Sequence, residues 1–210
     1  MTPLVIAHRG ACWDAPENSL EAFELAIDQE ADYVEFDVRR RGRELVVCHQ
    51  PRPPKSAPTL ESVLARLAGR VGLAIEIKQH AITVDILAAL EAHRVDADSA
   101  IVVSFHPKAI LETRRRCPGL RTIQHVQRVS ISWAAEHAWG VGFSDRRATR
   151  RGIGRAQALG LATGVYTVND PARIRELADL GVTAIFCDRP ALMRETLRTA
   201  AEAAGCASRS

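Results

Sequence analysis

Lysine is scarce in this chain of 210 residues: only Lys55, Lys78 and Lys108 occur, and arginine carries the rest of the positive charge. With 28 Lys and Arg against 25 Asp and Glu, the formal net charge is +3. That is too weak an excess to argue for nucleic acid as a partner. Aromatic residues make up only 5%, which disfavours a greasy entrance built for intact lipids. No apolar run is long enough to cross a bilayer, so no stable membrane insertion is expected. The stretch Met1-Thr2-Pro3-Leu4-Val5-Ile6-Ala7-His8 lacks the features of a signal peptide. The five cysteines (Cys12, Cys48, Cys117, Cys187 and Cys206) are odd in number and form no CxxC pair. They are expected to be reduced thiols in a cytoplasmic protein, neither a disulfide framework nor a zinc motif.

What is present is the balance of an ordinary globular domain, 47% hydrophobic and 25% charged. Short apolar runs alternate with amphipathic stretches along the whole chain. Strands are expected at 4–8, 33–38, 73–78, 100–104, 122–126, 138–143, 162–168 and 184–187. Helices are expected at 20–29, 60–67, 84–93, 107–116, 131–136, 150–159, 172–180 and 191–203. Eight strands, each followed by a helix, predict an α/β fold, a parallel (β/α)8 barrel with compact loops. An open doubly wound sheet is the competing architecture. A single catalytic domain is expected over 1–198, with 199–210 fraying into a tail. Residues 50–58 hold four of the ten prolines and read as a loop. Asn18 three residues before Glu21, and Asp170 and Asp188 near Pro171 and Pro190, read as helix N-terminal signals.

Side chains alternate across a strand. In Tyr33-Val34-Glu35-Phe36-Asp37-Val38, Glu35 and Asp37 share one face while Val34, Phe36 and Val38 share the face suited to packing on helices. In the next expected strand Leu73, Ile75 and Ile77 face the helices, and Glu76 and Lys78 face in. Adjacent strands therefore aim three carboxylates and one ammonium at a common interior. Desolvating like charges costs on the order of several kcal/mol per ion unless they are paired. Lys78 offsets one charge, and a hard divalent cation with oxygen ligands, Mg²⁺ or Ca²⁺, would offset the others. His8 ends the first strand and His49 follows the apolar run Leu45–Cys48. Imidazoles titrate near neutrality, so two of them beside a metal could protonate a leaving oxygen and activate a nucleophile. The other histidines, His125 included, read as packed or solvated side chains.

His8-Arg9-Gly10, Pro16-Glu17-Asn18-Ser19, Ala22-Phe23, Glu35-x-Asp37-Val38 and His49 resemble the N-terminal signature of the glycerophosphodiester phosphodiesterase family. The likeness continues through Pro58-Thr59-Leu60, Glu76-Ile77-Lys78, Ser104-Phe105, Tyr166-Thr167-Val168-Asn169 and Asp188-Arg189-Pro190, in order over nearly the whole chain. The resemblance implies a TIM barrel that hydrolyses glycerophosphodiesters, small molecules of lipid and glycerol metabolism, to an alcohol and sn-glycerol 3-phosphate. Carried over by motif, Glu35, Asp37 and Glu76 would bind the divalent metal, and His8 and His49 would be the general acid and base. Arg9 and Lys78 would hold phosphate oxygens, and Phe105 and Tyr166 would line the apolar side of the substrate site. Asn169, Glu17 and Asp188 would be structural support.

Three departures from the family pattern stand out. Gln50 follows His49 where the family usually has Asp, Tyr166 stands where Trp is common, and the insertion after His49 is cut to a short proline-rich loop. Two rivals share most of these residues: a phospholipase D-like lyase acting on lysophospholipids, and a non-catalytic phosphate-binding barrel. The joint presence of His8, His49, the three carboxylates and Lys78 argues against the second.

Overall fold

The computed structural model describes residues 2–127 and 129–207. Nine strands form one sheet: β1 (Leu4–Ala7), β2 (Tyr33–Arg41), β3 (Glu44–Val47), β4 (Gly72–Ile77), β5 (Ala100–Ser104), β6 (Arg121–His125), β7 (Gly140–Ser144), β8 (Ala162–Tyr166) and β9 (Ala184–Cys187). All but β3 run parallel, and β1 pairs with both β2 and β9, so eight strands close into a barrel. That closure excludes the open doubly wound alternative. Around it lie α1 (Leu20–Asp28), α2 (Leu60–Leu67), α3 (Thr83–Ala92), α4 (Pro107–Arg116), α5 (Ile131–His137), α6 (Arg150–Ala158), α7 (Pro171–Asp179) and α8 (Pro190–Ala207). No described helix is long and apolar enough to cross a membrane.

Strand alternation sorts the core as the sequence pattern predicts. Val34, Phe36, Val38, Leu73, Ile75 and Ile77 pack outward against Phe23, Leu60, Leu64 and Leu67 of α1 and α2. A second outward cluster joins Val141, Val165 and Ile185 to Ile153, Ile174 and Leu177 of α6 and α7. Each such aliphatic side chain contributes roughly 1.5–3 kcal/mol by leaving water. Inside the barrel, Ile6, Tyr33, Ala74, Ile101, Val103, Ile123 and Phe186 fill the lumen. The interior is therefore a packed plug, and the polar residues sit at its C-terminal end.

Two helix signals act differently from expectation. Ser19, not Asn18, caps α1, accepting from Ala22 N at 3.1 Å. Asp188 does not cap α8, because its carboxylate is engaged by His8, Cys12 and Asn169. Asp170 caps α7 as predicted. The helix at the C-terminal end does not fray at Thr199: α8 continues to Ala207. Its last turns are rich in alanine, and Arg198 reaches Glu202 one turn on at 2.6 Å, both of which favour helix. Residues 208–210 of the expected tail lie outside the described residues. The strand β3 extends β2 antiparallel, with Val38 opposite Val47. This ribbon returns the chain to the barrel mouth and delivers His49.

Candidate active site

The register of the sheet brings the carboxylates together. Asp37 of β2 stands opposite Glu76 of β4, with Glu35 one pleat below Asp37 on the same inner face. All three are buried, and one oxygen from each lies within 4.8 Å of the others. Ala7 pairs with Val34 on one side and Cys187 on the other, so His8 lies between Glu35 and Asp188. A cavity of about 180 Å³ opens here, lined by His8, Arg9, Glu35, His49, Glu76, Lys78, Phe105 and Tyr166, with His125, Thr167 and Phe186. Every residue picked from the sequence reaches this cavity except Asp37, which stands fully buried behind it.

Burial and crowding set the electrostatics. Burial, then the charges of Asp37 and Glu76, push Glu35 well above the usual carboxylate range. Glu76 is pushed to about 7 by burial and Asp37, against the pull of Lys78. For Asp37 burial acts upward, but Lys78, Arg9 and the Asn18 amide outweigh it and hold this carboxyl low. Lys78 Nζ lies 2.8 Å from Glu76 Oε1 and 3.1 Å from Asp37 Oδ1. Arg9 Nε lies 3.1 Å from Asp37 Oδ2, its Nη1 donates to Glu17 at 2.6 Å, and its backbone N–H donates to Glu35 at 2.8 Å. At these distances Arg9 Nε and Asp37 Oδ1 form ion pairs, yet neither atom has an aligned hydrogen-bond partner.

Three buried carboxylates face only two cations, and one of their oxygens, Asp37 Oδ1, has an ion-pair contact but no aligned hydrogen bond. That donor set fits a hard divalent cation, which would satisfy Asp37 Oδ1 and relieve the repulsion that raises Glu35 and Glu76. The residues are held in place. Asn18, at φ 58°, donates to Asp37 Oδ2 at 2.9 Å and accepts from Asp37 N at 3.1 Å. Arg9 also has a positive φ of 58°, a conformation that costs free energy in a non-glycine residue and recurs at functional sites.

The histidines are positioned by different means. His8 Nδ1 lies 2.8 Å from Asp188 Oδ1, and Asp188 in turn accepts from Asn169 Nδ2 at 2.7 Å and donates its N–H to Asn169 Oδ1 at 2.8 Å. Burial acts upward on Asp188, but His8, Cys12 and Asn169 bring it down to about 2. His49 is lowered by burial and by Arg9, and its carbonyl accepts from Arg39 Nε at 2.9 Å. Gln50, the departure beside His49, is engaged outside the trio of Glu35, Asp37 and Glu76: it donates to Glu17 at 3.3 Å and accepts from the Cys48 thiol.

Two features go beyond the sequence reading. Asp188, expected as structural support, touches His8 directly, 180 residues away in the chain. His125 is packed, as expected, but it lines the cavity, 4.1 Å from the Tyr166 ring and 4.4 Å from Phe105 between centroids. Its alternation with Ile123 on β6 marked it as inward-facing.

Comparison with known proteins agrees with this fold. The model of the glycerophosphoryl diester phosphodiesterase family matches residues 8–65 and 50–192. A glycerophosphodiester phosphodiesterase of Bacillus subtilis (strain 168) is 24% identical over 250 residues, covering 91% of this chain and 85% of that protein. The crystal structure of a glycerophosphodiester phosphodiesterase from Parabacteroides distasonis ATCC 8503 superposes with a TM-score of 0.87 at 24% identity, over 95% of this chain and 98% of that one. An Oleispira antarctica phosphodiesterase, solved in complex with the product sn-glycerol-3-phosphate, superposes with a TM-score of 0.85 at 22% identity, over 94% and 97%.

Proposed function

The chain belongs to the glycerophosphoryl diester phosphodiesterase family, and from that premise we propose that it hydrolyses glycerophosphodiesters to an alcohol and sn-glycerol 3-phosphate, using a divalent cation and two proton-transfer histidines. The observation that carries this reading is the joint placement of His8, His49, Glu35, Glu76, Arg9 and Lys78 around one cavity, with Asp37 directly behind.

Glu35, Asp37 and Glu76 are the residues that would hold Mg²⁺ or Ca²⁺. When bound, such an ion supplies Lewis-acid stabilisation of phosphoryl oxygens. Arg9 and Lys78 bring two further positive charges to the cavity wall, where charge develops on the diester during displacement. Arg9 can grip two oxygens at once, whereas Lys78 acts as a point charge. His49, lowered from its ordinary value by burial and by Arg9, is biased toward its neutral form and suits removal of a proton from the attacking hydroxyl or water. His8 is oriented by Asp188 through Nδ1 and suits donation of a proton to the departing alkoxide. The Phe105 and Tyr166 rings give the cavity an apolar wall for the glycerol carbons. No soft ligand lies in the carboxylate trio, which favours Mg²⁺ or Ca²⁺ over a thiophilic ion at that position.

The direct test is to incubate purified protein with glycerophosphocholine and identify the products. Equal amounts of choline and sn-glycerol 3-phosphate are expected. Release of phosphocholine, or no turnover with any divalent ion, would overturn the reading.

A further inference from the structure

His8, Cys12 and Asp188 bring an imidazole nitrogen, a thiol sulfur and a carboxylate oxygen to within 4.8 Å of one another. Asp188 Oδ1 is the meeting point: His8 Nδ1 lies 2.8 Å from it and the Cys12 Sγ 3.1 Å. The other oxygen, Oδ2, is held by Asn169 at 2.7 Å, which turns Oδ1 toward the thiol and the imidazole. All three residues are half-buried, so an ion from solvent can reach them. Among the described residues no other cysteine joins a potential ligand group. This cluster is chemically unlike the trio of Glu35, Asp37 and Glu76, which offers oxygen alone.

The geometry points to a second metal site, selective for Zn²⁺ and related thiophilic ions, formed by His8, Cys12 and Asp188, whose occupation withdraws His8 from proton transfer. Nitrogen, sulfur and carboxylate oxygen are the donor types that Zn²⁺ takes, with bond lengths of about 2.0–2.3 Å. In a tetrahedral site these bonds set donor atoms about 3.3–3.6 Å apart. The present hydrogen-bonded contacts at 2.8 and 3.1 Å need to open only by about half an ångström. The chain supplies three donors, which leaves a fourth position for water and makes the ion exchangeable and the site regulatory in character. Asn169 plays the part of the outer hydrogen-bond partner that orients a ligating carboxylate. Binding releases the Cys12 thiol proton to solvent and leaves His8 a neutral ligand through Nδ1 with its one proton on Nε2: an imidazolium gives up its Nδ1 proton to solvent, and a neutral ring shifts it to Nε2; no electrons move. The bonds formed are one each from nitrogen, sulfur and oxygen to the ion.

The sequence reading expected no zinc motif because the cysteines are isolated along the chain. The fold assembles this one from residues 176 positions apart.

Binding is tested first, independently of turnover. Co²⁺ is titrated into enzyme saturated with Mg²⁺, and the near-ultraviolet spectrum is recorded. A thiolate-to-cobalt charge-transfer band is expected in the wild type, retained in Glu76→Gln, lost in Cys12→Ser, and displaced by Zn²⁺. Absence of the band in the wild type, or its persistence in Cys12→Ser, would overturn the site. Inhibition is tested second, as loss of sn-glycerol 3-phosphate release under Zn²⁺ with Mg²⁺ in excess. Losing even an outer-shell partner costs about 10- to 100-fold in metal affinity, so Cys12→Ser should raise the inhibitory Zn²⁺ concentration by about tenfold or more. Its activity without Zn²⁺ should stay close to wild type. Equal sensitivity of the two proteins would place the inhibiting ion at the carboxylate trio and overturn the regulatory part of the inference.

Discussion

His125 stands inside the barrel with its Nδ1 lacking any hydrogen-bond partner, and burial, reinforced by the charge of Lys78, pushes its imidazole down to about 3. Between that value and the ordinary value near 6.5, the unfolded chain binds a proton that the folded chain does not. The stability this residue permits is complete above about pH 6.5 and falls as pH drops, by about 1.4 kcal/mol per unit. Urea unfolding should therefore show the protein about 2 kcal/mol less stable at pH 5 than at pH 7 from this group. His125→Leu, which cannot titrate, should remove that part of the slope; identical slopes in both proteins would contradict the assignment. For the proposed proton-transfer pair, His8→Ala and His49→Ala should each lower kcat by roughly 10²- to 10⁴-fold. An unchanged circular dichroism spectrum would tie the loss to chemistry, and near-wild-type turnover would remove that histidine from the mechanism. These two histidines and the three carboxylates were legible because strand alternation alone fixes which way Glu35, Asp37 and Glu76 face. Asp188 was expected as structural support, but its partner was not legible. Its contact with His8 is made across the closing seam of the barrel, between β1 and β9, and no local pattern encodes that pairing.

At the level of elements, the turn from β1 into α1 is the most constrained. Gly10 has φ +83°, and a Cβ there would lie 2.6 Å from the Ala22 backbone. Its neighbour Arg9 is the residue that donates to Glu35 and Glu17. Gly10→Ala should thus move Arg9 as well as destabilise the fold, by more than about 1 kcal/mol, since alanine at a positive φ is strained even without a clash. The measurement is a denaturant midpoint together with KM for glycerophosphocholine: both should worsen. A variant with wild-type KM would show that the turn does not position Arg9. The eight barrel strands and their helices were readable because each is an apolar run bounded by turn residues. The ninth strand, β3, was seen only as an apolar run, because four residues at a sheet edge carry no period. Asn18 and Asp188 misled as helix caps for one physical reason. Their polar groups have better partners in the site, Asp37 and His8, and Ser19 is at hand to cap α1.

Over the whole molecule, the buried carboxylates gather at one mouth of the barrel, and the stretch that follows His49 is only the short proline-rich loop at residues 50–58. On the proposed reading the cavity would address phosphate and glycerol, and a head group beyond it would meet few contacts. One apolar contact changes selectivity by only about 1–3 kcal/mol. Glycerophosphocholine, glycerophosphoethanolamine and glycerophosphoglycerol should therefore react with kcat/KM values within about two orders of magnitude. Mixed-substrate competition reads this directly, and strong selection of one head group would mean that another loop closes over the site. The central claim is that Glu35, Asp37 and Glu76 hold one divalent cation on which the activity depends. The most direct measurement strips the protein with chelator and titrates Mg²⁺ or Ca²⁺ back, following bound ion and release of sn-glycerol 3-phosphate together. One ion per chain should bind as activity returns, and Glu76→Gln should weaken both; full activity after exhaustive chelation and dialysis would contradict the claim.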